Sequence, residues 1–277
     1  MGETTKKRKK YRDPADTTMS LGDHLEELRA RLILAIIGLV IGAAISLCFG
    51  TTIIRFIERP YYSLTDKRLI VIGVADAFIA YMKISLVAGL ILSSPWVFYQ
   101  LWMFVAAGLY PNERRYVRQA VPFAVLLFVT GALFFLFLVA PLSLGFFMKF
   151  GEYIKVDTSW TLQKYVSFIT ILMLIFGLAF QTPIAILILI RTGLVSIQAM
   201  RSSRKYVLLG AFVVAAVATP GPDLFSQITL ALPLYGLFEL GILLGQLAER
   251  KKRRREDAEK ASQAQPASQQ QVGTQQS

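Results

Sequence analysis

Two short clusters of charge stand out because of what surrounds them. Residues 109–115, Leu-Tyr-Pro-Asn-Glu-Arg-Arg, put one carboxylate, Glu113, beside two arginines and between two long apolar runs. Residues 24–29, His-Leu-Glu-Glu-Leu-Arg, place Glu26, Glu27 and Arg29 just before the first apolar run. Carboxylates at the edge of apolar segments are suited to charge-assisted hydrogen bonding to a cation. A guanidinium meets a carboxylate as a fork, often through two bonds, and an ammonium matches that geometry less well. One such bond contributes about 1.5–3 kcal/mol, so two acids can tell a pair of arginines from a pair of lysines. The two clusters are predicted to lie on one side of a membrane and to form a recognition surface for a cationic ligand. Each acid also has a plainer role. Glu27 can pair with Arg31 one helical turn on. Glu113 can be a first-turn acid behind an Asn112 cap.

Other chemistry finds little support. There is one histidine, His24, and one cysteine, Cys48, so no His/Cys spacing for a metal and no internal disulfide arises. No glycine-rich phosphate loop is followed by a lysine. A lone histidine outside the apolar runs cannot serve as base for an intramembrane serine nucleophile. The chain is read as a non-enzyme without cofactor or metal. Its formal charge of +12 invites a nucleic-acid reading. The positive residues, however, gather in segments flanking apolar runs, which argues against one.

The elements that must position the two clusters follow from composition. Hydrophobic residues make up 55% of the chain and charged ones 17%, too few charges for a soluble domain of this size. Runs this long and apolar read as membrane helices. Six spans are predicted, near 32–54, 84–107, 119–139, 165–190, 206–218 and 224–247, the fifth only marginally long enough to cross. Residues 1–19 are basic and read as a disordered tail. Residues 20–247 form one membrane domain, and residues 248–277 read as a second tail, basic and then Gln/Ser-rich. Pro95 should kink span two, the aromatics from Trp96 to Phe104 read as an interfacial belt, and Pro141 should stop span three. Six spans put both termini on one side, and the bias of Lys and Arg toward that side makes it cytoplasmic. Gln181 and Glu239 lie inside apolar spans, where polar groups face protein or water rather than lipid. For Gln181 a helix–helix hydrogen bond within the chain and a contact to a partner helix are equally open. Glu239 has the stronger case for a partner contact on grounds of cost, with a protonated, structural role also open. The competing class is a small-molecule secondary transporter, to which broken helices would suit. No inverted repeat is evident, and the acids singled out lie in surface segments rather than at the midplane.

Three motifs together resemble the TatC family, the multi-span receptor subunit of the twin-arginine protein translocase. They are His-Leu-Glu-Glu-Leu-Arg at 24–29, Leu-Tyr-Pro-Asn-Glu-Arg-Arg at 109–115 and Thr-Pro-Gly-Pro-Asp-Leu-Phe-Ser-Gln at 219–227. The resemblance covers about 20–246. It implies an all-α, polytopic fold of six helices in a concave, cupped wall. It implies binding of twin-arginine signal peptides on folded precursor proteins, assembly with the single-span subunits TatA and TatB, self-association in the receptor complex, and export driven by the proton-motive force across the inner membrane. It matches Glu27 and Glu113 to the family's contacts for the twin arginines, with Arg29 and Phe104 beside them. It matches Pro60 and Asp223 to positions linked to assembly or transport, and Thr219 and Gln227 to polar residues facing partner helices. One departure stands out. Many members carry an intramembrane glutamate in span four, within Phe-Glu-x-Pro, where this chain has Gln181, which hydrogen-bonds but cannot ionise.

Overall fold

The computed structural model describes residues 21–107, 114–156, 158–219 and 224–274. Nearly all of them are helical. The α-helices are α1 (Leu21–Cys48), α2 (Gly50–Ile57), α3 (Arg59–Tyr62), α4 (Asp76–Ala107), α5 (Arg114–Phe134), α6 (Ala140–Tyr153), α7 (Leu162–Ala179), α8 (Thr182–Arg191), α9 (Ile197–Ser202), α10 (Arg204–Ala218) and α11 (Leu224–Thr274). A π-helical segment, Phe135–Val139, joins α5 to α6. Among the described residues, five stretches are long and apolar enough to cross a membrane: Leu25–Cys48, Asp76–Ala106, Ala120–Tyr153, Leu162–Arg191 and Leu224–Lys251. The expected fifth span is α10. Its 15 residues rise about 22 Å, short of the ~30 Å hydrocarbon layer.

Proline explains where the helices differ from expectation. Pro95 lies inside α4, and the helix runs through it. A proline leaves the carbonyl four residues back without its N–H partner. Here that carbonyl is Ile91's, and the Ser94 hydroxyl donates to it at 2.7 Å. Pro141 does not stop span three. The preceding turn widens to the π form, which absorbs the missing donor, and the helix continues as α6 to Tyr153. Pro183 has the opposite effect. The expected fourth span divides at Phe180–Gln181 into α7 and α8, with Pro183 in the first turn of α8, where its missing N–H does no harm. At the chain's end α11 continues as one helix past Leu247 to Thr274. The run that was read as a tail, Arg-Glu-Asp-Ala-Glu-Lys and beyond, is rich in good helix formers.

The core lies where α7 packs against α4, α5 and the π turn, with α10 and α11 along one edge. Phe135, Leu136, Ile169, Leu172 and Phe176 are fully buried there. At one end of the bundle the connections are tied together. Ile70 donates to the Trp160 carbonyl at 3.0 Å, and Leu162 donates to the Ile70 carbonyl at 2.9 Å. Tyr165 donates to the Ile57 carbonyl at 2.6 Å, and its ring meets Tyr61 edge-on. Phe146 of α6 stacks on Phe225, so α11 begins at this end as well. The outward flanks are apolar. On α1, Leu32, Ile33, Ile36, Ile37 and Val40 are all exposed, which suits a helix surrounded by lipid.

One acid at that tied end is half-buried between α2 and α3. Burial raises the Glu58 carboxyl above its ordinary value, and nearby Arg55 offsets part of the rise. A raised acid favours the protonated fold, so its contribution is present below the unfolded value and fades as pH climbs through the folded one. Glu58→Gln should therefore raise the unfolding temperature at pH 8 by more than at pH 4. A larger gain at pH 4 would contradict the burial argument.

Candidate functional site

At the other end of the bundle, the start of α1 lies against the finish of α4. The two helices run antiparallel in close register. Trp96 donates its indole N–H to the Leu34 carbonyl at 2.8 Å, and Tyr81 donates to the Leu47 carbonyl at the opposite end of the pair. Small residues allow this approach. A Cβ on Gly42 would stand 2.6 Å from the Gly89 carbonyl oxygen, and one on Gly89 would stand 2.5 Å from the Ala43 Cα. The same register carries Arg31 to Gln100, whose Oε1 accepts from Arg31 Nη1 at 3.2 Å. Gln100 is buried, so this bond is sheltered from competing water.

Glu27 sits one turn before Arg31 and accepts from its Nη2 at 3.4 Å, with about a quarter of each side chain exposed. Phe104 lies one turn beyond Gln100, level with Glu27 in the antiparallel register, and is half-buried. The structure thus brings Glu27 and Phe104 to one end of the molecule. Arg29 is exposed, as is Glu26. Glu113 and Asp223 lie outside the described residues. Pro60 is buried in the first turn of α3, where its carbonyl accepts from the Ser63 hydroxyl at 2.9 Å. Thr219 is buried at the end of α10, and Gln227 is half-buried in the first turn of α11.

Gln181 occupies the break between α7 and α8. Its Nε2 donates to the Ala124 carbonyl of α5 at 2.9 Å, while Oε1 is buried without a hydrogen-bond partner. The bond within the chain is formed, by the donor half of the amide. Losing that bond removes about 1 kcal/mol, and removing a buried unpaired carbonyl returns a similar amount. Gln181→Leu should therefore move the unfolding temperature by no more than about 3 °C. A fall beyond ten degrees in a thermal melt would mean the amide does more than its bond to Ala124.

Three polar ties were not anticipated. Arg204, expected in a surface loop, opens α10 and donates to Glu239 Oε2 at 2.7 Å, while Tyr235 donates to Oε1 at 2.7 Å. Both Glu239 oxygens are thus engaged within the chain. A signal was available in the spacing, because Arg204 lies as far before Thr219 as Glu239 lies after Leu224. Lys83 donates to Ser167 at 2.9 Å, joining α4 to α7. The Arg31–Gln100 bond had no sequence signal, because it depends on helix register.

Comparison with known proteins places this arrangement. A family model described as Sec-independent protein translocase protein (TatC) matches residues 23–233. The chain belongs to the TatC family. The Sec-independent protein translocase protein TatC of Carboxydothermus hydrogenoformans is 36% identical over 236 residues, covering 85% of this chain and 96% of that one. The TatC of Escherichia coli K12 is 37% identical over 245 residues, 87% of this chain and 94% of its own. A crystal structure of the twin-arginine translocase receptor TatC superposes with a TM-score of 0.75 at 35% identity, spanning 82% of this chain and 99% of the solved one. The TatC match contains the α1–α4 end and the Gln181 break alike.

Proposed function

We propose that the chain is the receptor subunit of a twin-arginine protein translocase, binding twin-arginine signal peptides of folded precursors at the α1–α4 end. The observation that carries this is the state of Glu27. Its pair with Arg31 is long and joins neighbours one turn apart, a kind that contributes about 0.3–0.5 kcal/mol. A peptide guanidinium docking as a fork contributes about 1.5–3 kcal/mol. The incoming arginine therefore wins the carboxylate, and Arg31 keeps its bond to Gln100 when it lets go. Glu113 takes the second arginine, with Arg29 and Phe104 at the margin of the same surface.

Assembly with TatA and TatB follows on the same reading. Gln181, half-buried at the α7–α8 break, together with Thr219 and Gln227, is the polar set matched to contacts with single-span helices, and Pro60 and Asp223 are the positions matched to assembly or transport. The receptor self-associates, and the proton-motive force drives export. The Lys/Arg bias supports cytoplasmic termini in an inner membrane crossed six times, with α10 as the short fifth span.

The test uses the full chain in detergent and two immobilised signal peptides, one with twin arginine and one with twin lysine. Recovery on the arginine form should exceed that on the lysine form by about tenfold, since lysine lacks the fork. Equal recovery on both would remove the proposal.

A further inference from the structure

The short helix α9 and the middle of α11 enclose a second polar feature. Ser196, Gln198 and Arg201 from one side, with Gln246, Glu249 and Arg250 from the other, line a cleft of about 530 Å³. The two arginines come from different elements and are exposed. No ion pair joins Arg201 or Arg250 to a carboxylate among the described residues, and Glu249 is already engaged in a contact of its own. The cleft is therefore electropositive and lined with amide and hydroxyl donors.

Its level in the membrane narrows the ligand. Leu243, Leu244 and Leu247 of α11 are exposed in the two turns before Arg250, so the apolar surface ends where the cleft begins. Beyond it the sequence runs Arg-Lys-Lys-Arg-Arg-Arg from residue 250 to 255. A basic run directly after a membrane helix is drawn to anionic lipid, but a run alone gives diffuse attraction. Two guanidiniums converging on one cleft, beside neutral donors and above an apolar face, match a single headgroup. Guanidinium forks fit phosphate oxygens, and the Gln and Ser side chains fit glycerol hydroxyls.

We propose that this cleft binds the phosphodiester headgroup of an anionic phospholipid, with the acyl chains lying along the Leu244 and Leu247 side of α11. One lipid would then brace α9 against α11 at the base of the α10–α11 hairpin.

The full chain in dodecyl maltoside, titrated with phosphatidylglycerol, phosphatidylcholine or sodium phosphate, tests this by native mass spectrometry. Phosphatidylglycerol adducts should persist where phosphatidylcholine adducts do not. Arg201→Gln with Arg250→Gln should reduce their retention by about 25-fold, roughly fivefold for each arginine. Lys251→Gln with Arg254→Gln, both exposed and off the cleft, should leave most of it. Should the first pair fail to purify, the single Arg201→Gln variant should still lose about fivefold. Three results would overturn the proposal: equal retention of the two lipids, equal losses in the two double variants, or displacement of phosphatidylglycerol by millimolar phosphate. The last would mark the cleft as a site for a free anion.

Discussion

Replacing Glu27 and Glu113 together with alanine should lower affinity for a twin-arginine signal peptide by two to four orders of magnitude. The estimate takes two charge-assisted bonds at about 1.5–3 kcal/mol each. Each single variant should lose about ten- to a hundredfold, with photo-crosslinking from each position to the peptide as a second readout. The fold should survive. Glu27 is partly exposed, and its pair with Arg31 is weak enough that its loss barely registers in a thermal melt. Arg31 would keep its bond to Gln100, so the α1–α4 end stays assembled. Crosslinks unchanged in the double variant would show that the peptide arginines are held elsewhere.

A larger structural effect is expected at Gly89. A Cβ there would fall 2.5 Å from the Ala43 Cα and 2.6 Å from the Ala43 nitrogen. Both are backbone atoms, so no side-chain rotation relieves the clash, and α1 must move off α4. Overpacking of this kind costs about 1–3 kcal/mol and sometimes more. Gly89→Val should therefore lower the unfolding temperature by about 5–10 °C. Because the same helix pair sets Arg31 against Gln100 and carries Glu27, peptide affinity should fall with it. Gly210 and Gly236 supply the contrast, since a Cβ at either meets nothing within 4 Å. Alanine at those helix-interior positions should leave the melt unchanged or raise it slightly. A Gly89→Val protein that melts and binds like the parent would show that α1 is held by something other than close contact with α4.

These two expectations separate what recognises from what positions. Glu27 belongs to a motif legible in the sequence. The surface that holds it depends on Gly42, Gly89, Trp96 and Gln100, none of which looked chemically special. Trp96 was read as part of an interfacial belt, yet its indole also donates across the helix pair to Leu34.

The sequence by itself determined the class of the protein, the apolar spans, the charged breaks between them and the family motifs. Those depend on composition and local order, which lipid enforces strictly by leaving no unpaired backbone in the hydrocarbon. Tertiary structure alone decided which faces meet. In a membrane helix the lipid-facing and core-facing sides are both apolar, so periodicity does not mark the buried side. Ile169 and Ile171 of α7 are the same residue type two positions apart, one fully buried and the other exposed. Nor does sequence fix the partners of isolated polar groups. The bonds from Gln181 to Ala124, Tyr165 to Ile57 and Arg31 to Gln100 each join segments far apart in the chain, and each exists only in one helix register. The proline outcomes divide in the same way. Pro95 is bridged because a serine precedes it, Pro141 is absorbed by a π turn, and Pro183 ends a helix, because what satisfies the freed carbonyl differs in each place.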